Sequence, residues 1–166
     1  MNTASKLALA LVAIATVATT SLQAQASGQI TATATVQTPI TITPLTNLVF
    51  GNVFPGLAKT VLSTGSGAGQ FQIGGQGTSE VNITFTLPTN LVNGGNTLPI
   101  GTWTGGQFGT NTQASQTAIT PTGSTTTNLV GGALYVWLGA TVNPAVAQVA
   151  GVYTAPVTMS VAYTGN

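Results

Sequence analysis

A chain of 166 residues with two cations, one carboxylate, no histidine and no cysteine lacks the side chains for a zinc or thiolate metal site, a Ser-His-Asp triad or a pair of catalytic carboxylates. It also has no basic patch with which to hold nucleic acid. With charged residues at 2%, solubility rests on Thr, Asn, Gln, Ser and Gly, which leaves a surface nearly indifferent to salt and strand edges without the lysines that discourage edge pairing.

The first segment, "MNTASKLALALVAIATVATTSLQAQA", has a polar start with Lys6, an apolar run from Leu7 to Ala18 and small residues at Ala24 and Ala26. That order predicts a secretory signal peptide over residues 1–26, cleaved after Ala26, because the apolar run is too short to span a bilayer, which takes about 20 residues. Residues 27–166 are then expected to form a single domain without disulfides, held by its core and its ladders alone. Only Lys59 and Glu80 remain charged in it.

Next, "ITATATVQTPITIT" alternates over an unusual length. Ile30, Ala32, Ala34, Val36, Ile40 and Ile42 fall on one side, and Thr31, Thr33, Thr35, Gln37, Thr41 and Thr43 on the other. Pro39 cannot donate to a ladder, so the pattern predicts two strand pieces, 29–36 and 40–43, within an extended N-terminal stretch over 27–43. Further short strands are expected at "LVFGNV", "GQFQIGG", "EVNITFTLP" and "GALYVWLGATV", each bounded by Gly, Pro or Asn. In "EVNITFTLP", Val81, Ile83, Phe85 and Leu87 share a face. Residues 93–128 are rich in Gly, Thr, Asn and Gln, and a loop of that length is uncommon in a compact domain, so one or two irregular strands are expected there. "NPAVAQVAG" allows a turn of helix at most. In the closing "GVYTAPVTMSVAYTGN", Tyr153, Ala155, Val157, Met159, Val161 and Tyr163 alternate inward and predict a strand over 153–163 with one side buried. Many short strands with glycine punctuation indicate an all-β antiparallel sandwich.

The chemistry available is sparse. Lys59 follows the "FPGLAK" turn and reads as a solvated edge lysine, and Glu80 reads as the exposed start of a strand. Neither is expected to act in catalysis, and a lone carboxylate cannot build a tight Ca²⁺ site. "GGQG" and "GTWTGG" are followed by no helix and no Lys-Ser/Thr pair, so they read as turn or bulge glycines rather than phosphate loops. Trp103, Tyr135 and Trp137 are expected in the core rather than on a carbohydrate platform. The reading is of a protein that is not an enzyme, with no catalytic residue, cofactor or metal.

Four stretches in order, "ITITPLTNLVFGN", "GQFQIGGQG", "LVGGALYV" and "GVYTAPVTMSVAY", resemble the secreted bacterial β-domains grouped as domain of unknown function 4402. The same pattern is similar to spore coat protein U and to the pilin subunits of chaperone-usher systems, although this chain lacks the cysteine pair of many such pilins. The resemblance implies an immunoglobulin-like, pilin-like sandwich lacking its final strand, completed by a neighbour's N-terminal extension after a periplasmic chaperone and an outer-membrane usher have handled it.

Composition, pattern and resemblance together predict a secreted structural subunit of a surface fibre, pilus or coat, exported through the periplasm and assembling with like or related subunits by β-strand addition. Ile30, Ala32, Ala34 and Val36 are the expected donor face. The strand carrying Tyr153, Val157, Met159, Val161 and Tyr163 is the expected acceptor edge. The alternative is a self-complemented binding module that folds its own N-terminus into the gap, or one that presents Thr31, Thr33 and Thr35 to a glycan or to ice.

Overall fold

In a computed structural model that describes residues 25–165, the chain is an all-β antiparallel sandwich. Its strands are β1 (Thr41–Thr46), β2 (Lys59–Val61), β3 (Gly69–Gly74), β4 (Glu80–Thr86), β5 (Asn90–Asn93), β6 (Asn96–Phe108), β7 (Thr117–Ile119), β8 (Thr125–Asn128), β9 (Ala133–Val142) and β10 (Thr158–Tyr163), with a single 3-10 turn at Gln113–Ser115. The expected signal peptide lies almost wholly outside the described residues. Among the described residues, no helix is long and apolar enough to cross a membrane.

The larger sheet has seven strands in the order β1-β3-β9-β6-β5, with β2 also paired to β9 and β7 to β6. Strand β9 is its spine. Its even-numbered residues form one apolar face, on which Leu134, Val136, Leu138, Ala140 and Val142 are all buried, as expected for a strand packed along its whole inner side. The smaller sheet, β10-β4-β8, covers only the first half of that face. There Val81 and Ile83 of β4 and Met159 of β10 meet Ile73, Leu134 and Val136 in one core cluster. The second half, with Ala140 and Val142 joined by Leu98 and Ile100 of β6, forms a separate cluster, flanked by loops rather than by a facing sheet.

Several sequence expectations change in the structure. Residues 29–36 form no strand, and Ile30 and Val36 are 93% and 94% exposed. The compact unit begins at Thr35, and alternation without a neighbour to pair with does not make a strand. The first strand instead spans Thr41–Thr46 and tolerates Pro44 because it is the edge of the larger sheet, with a register shift at that proline. "LVFGNV" is loop, "NPAVAQVAG" forms no helix, and residues 93–128 hold three strands, including the 13-residue β6. The closing strand starts at Thr158 rather than Tyr153. The inward alternation nevertheless runs unbroken from Tyr153 to Tyr163.

Trp137 is buried as expected and stacks on Tyr135 with ring centroids 6.3 Å apart. Both lie on odd positions of β9, on the face turned away from the two clusters. Residues 61–63 pack directly on that face at Gly139, where a Cβ would collide with the Val61 carbonyl.

Candidate functional site: an open apolar groove

Where the smaller sheet stops, the inner face of the larger one opens into a groove of about 1090 Å³. Its floor is the second half of the sheet: Leu98, Ile100 and Trp103 from β6, Leu138 and Val142 from β9, and Leu91 from β5. One wall is the loop after β1, with Leu48, Phe50 and Val53 turned inward, and the other is the lead-in to β10, with Tyr153, Ala155 and Val157. The lining is mainly apolar, with polar side chains at Thr46, Asn47, Asn52, Gln148 and Thr154, and holds no charged side chain.

Each wall is braced by the polar residues around it. The first is tied down where the Val49 amide donates to the Gly67 carbonyl at 2.8 Å and the Thr46 hydroxyl to the Ala68 carbonyl at 3.1 Å. The second is fixed by Gln148, whose Nε2 donates to the Thr97 carbonyl (3.0 Å) and the Tyr153 hydroxyl (2.7 Å), while that hydroxyl donates to the Val149 carbonyl at 2.7 Å. Thr154 exchanges two backbone hydrogen bonds with Val92 of β5, at 2.9 and 3.0 Å. A wall held this way is pre-organised, so an occupant does not bear the entropy of ordering it.

Trp103 reaches the floor through a β-bulge. Gly101 opposes Thr141 and Thr104 opposes Gly139, so Thr102 and Trp103 together face the single residue Ala140. Leu98 and Ile100 set an inward alternation on even positions, which would turn Thr102 in and Trp103 out; the extra residue reverses it. The cost is visible in Thr102, an exposed β-branched residue at φ +47°, a conformation worth about 1–3 kcal/mol of strain.

The backbone of residues 153–164 faces two ways. The Thr154 groups bond β5, and the Thr164 amide donates to the Glu80 carbonyl beside β4, so even-numbered residues direct their N–H and C=O groups toward partners. In an antiparallel ladder of this register the odd ones point to the opposite side, and among the described residues β10 has no strand there. Met159, Val161 and Tyr163 thus line a free edge, and the lead-in with Tyr153, Ala155 and Val157 continues the same alternation of burial. Pro156, which lacks an N–H, falls on the paired side.

Of the residues expected at an acceptor edge, Tyr153 and Val157 line the groove, whereas Met159, Val161 and Tyr163 belong to the covered core beside it. Ile30, Ala32, Ala34 and Val36 are exposed outside any strand. The floor residues Leu98, Ile100 and Trp103 and the wall residues Leu48, Phe50 and Val53 were not legible as a site. The only sequence hint is that "NLVFGNVFPGL" is apolar on both parities, unlike a half-exposed strand. Lys59 and Glu80 take no part: the Lys59 ammonium donates to the Asn52 carbonyl (2.9 Å), and Glu80 accepts from the Thr164 hydroxyl (2.7 Å).

No protein-family model and no curated protein matches this chain.

Proposed function

We propose that this protein is a secreted structural subunit of a surface fibre, pilus or coat that assembles by β-strand addition, with residues 27–36 of one copy, carrying Ile30, Ala32, Ala34 and Val36, entering the groove of another. The observation that carries this reading is the coincidence of an open apolar groove with an unpaired strand edge along its wall. Strand addition needs both, the edge for main-chain hydrogen bonds and the pockets for alternate side chains. An uncharged N-terminal stretch with small and medium apolar residues on one side is a chemically suitable occupant. On this reading the domain is an immunoglobulin-like, pilin-like sandwich short of one strand. It reaches the cell surface through the periplasm, and a chaperone and usher are fitting handlers of an open groove.

Deleting residues 27–37 from the expressed chain tests the proposal. The product should be monomeric and less stable or aggregation-prone, and a synthetic peptide of residues 27–38 should restore it. A deleted chain that stays a stable monomer and ignores the peptide overturns strand addition. One observation favours the binding-module alternative: the outer face of the smaller sheet places Thr84 and Thr86 of β4 beside Ser160 and Thr158 of β10, an exposed hydroxyl array that a glycan-binding or thermal-hysteresis assay would detect in use.

A further inference from the structure

Beyond the groove, one end of the domain carries an apolar rim that no part of the described chain covers. Phe54 and Leu57 on one loop are 66% and 64% exposed, and Val146 and Val152 on the next are 88% and 82% exposed. The two loops are joined where the Gly56 amide donates to the Ala145 carbonyl at 3.0 Å, so the four side chains sit on one braced structure. Phe54 and Val152 also line the groove, which places the rim at its end. Isolated exposed apolar residues are ordinary, but a contiguous group beside a candidate interface marks a contact surface.

The occupant follows from how the N-terminal stretch is attached. Thr38 is fastened to the body of its own domain: its carbonyl accepts from the Tyr163 hydroxyl at 2.7 Å, and its hydroxyl donates to Gln76 Oε1 at 3.0 Å. The Gln76 amide in turn donates to the same Tyr163 oxygen at 2.6 Å. Only Gln37 separates this anchor from Val36, the last donor residue. At about 3.3–3.6 Å per residue, the two steps span roughly 7 Å. A copy whose Val36 enters a neighbour's groove therefore brings its own body against that neighbour. At its inner end the groove runs into the core covered by β10-β4-β8, where only the free N-terminal end of a donor fits. The end bearing a body must lie at the rim, so the donor runs antiparallel to the 152–157 wall.

We propose that the rim of Phe54, Leu57, Val146 and Val152 is a body-to-body contact, seated on the Thr38 end of a second copy of this chain; the inference rests on the strand-addition reading. On the surface it would meet, Val130 is 60% exposed, with Gly77 and Gly131 beside it, and the Glu80 carboxylate lies at the same end, accepting from the hydroxyl of Thr164 next to Tyr163. A lipid bilayer is the weaker partner, because the rim carries no Trp or Tyr for the interface and the cation beside it, Lys59, already donates to the Asn52 carbonyl.

The test compares the full chain with L57S/V146S, altered at the two rim residues outside the groove lining, by sedimentation, alongside binding of a labelled peptide of residues 27–38. The double variant should self-associate at least tenfold more weakly while binding the peptide as the unaltered chain does. V130N, on the opposing surface, should show the same loss and carries the test if the double variant fails to fold. Undiminished self-association of a folded variant overturns the rim contact and leaves strand addition standing. Failure of the unaltered chain to bind the peptide overturns strand addition and this contact with it. Rim-dependent retention on phosphatidylcholine vesicles, with self-association unchanged, assigns the rim to lipid and overturns the proposal.

Discussion

Replacing each of the two tryptophans in turn should separate folding from binding. Trp137 is 2% exposed on the face away from the groove, so Trp137→Ala should cost about 3–5 kcal/mol of stability, the range for a fully buried large-to-small change. Trp103 is half-buried and its indole forms part of the groove floor, so Trp103→Ala should cost only about 2 kcal/mol of stability by proportion. A strand lying over the floor completes the burial of that indole. Its loss should then weaken binding of the 27–38 peptide by about tenfold, or about 1.4 kcal/mol, an effect Trp137→Ala should lack in whatever fraction remains folded. The assay is built into the molecule. Trp137→Phe leaves Trp103 as the only indole, and its emission should shift to the blue as the peptide binds and excludes water, giving affinity by titration and stability by denaturant in the same sample. Peptide binding that is equally strong in Trp103→Ala, or that leaves Trp103 emission unmoved, would refute the assignment of this floor to the donor strand.

Further substitutions address the donor, the bulge and the charge balance. Ala32→Asp should block assembly, since a lone carboxylate would enter an apolar groove at a cost of several kcal/mol, whereas Thr33→Asp on the opposite side should be tolerated; comparable oligomer sizes for the two in light scattering would contradict a buried donor face. Thr102→Gly removes left-handed strain of about 1–3 kcal/mol and adds roughly 0.5–1 kcal/mol of unfolded-chain entropy, so urea unfolding should find it equally stable or up to about 2.5 kcal/mol more stable. Self-association measured between low and high salt should stay flat, because Lys59 and Glu80 are the only charged side chains after residue 26; a steep slope would point to a charged partner.

The sequence made the strands packed on one face legible and left obscure those whose neighbours decide them. Val81, Ile83 and Phe85 alternate cleanly because β4 has one wet side, and the apolar run of β9 is long because both of its faces are covered. β6 was hidden by its glycines: Gly105 and Gly106 lie under Pro121 and Gln116, so covering segments replace the side chains that would have signalled burial. Its bulge also shifts the alternation midway, which breaks any period-two pattern. Residues 29–36 mislead in the opposite sense. They have the pattern of a strand, yet a ladder is a property of two segments, and a pattern names only one. The groove was illegible for a related reason, since it consists of what the smaller sheet fails to cover.

The hydroxyl of Tyr163 touches the chain where Thr38 leaves the domain, and its neighbour Gly75 has no room for a Cβ, which would lie 2.6 Å from that oxygen. In a fibre joined through residues 27–38, tension would enter each domain at this point and leave through the groove walls at the far end of β1. The pull would then run along β1, whose five register pairs with β3 would be loaded in shear and share the force, instead of being peeled open singly. Because Tyr163 belongs to β10 and Thr38 leads into β1, the hydrogen bond between them would divide the load between the two sheets at its point of entry. A single phenolic oxygen would therefore serve as a mechanical coupling, with little effect on stability at rest and a larger one on the force at which the domain gives way.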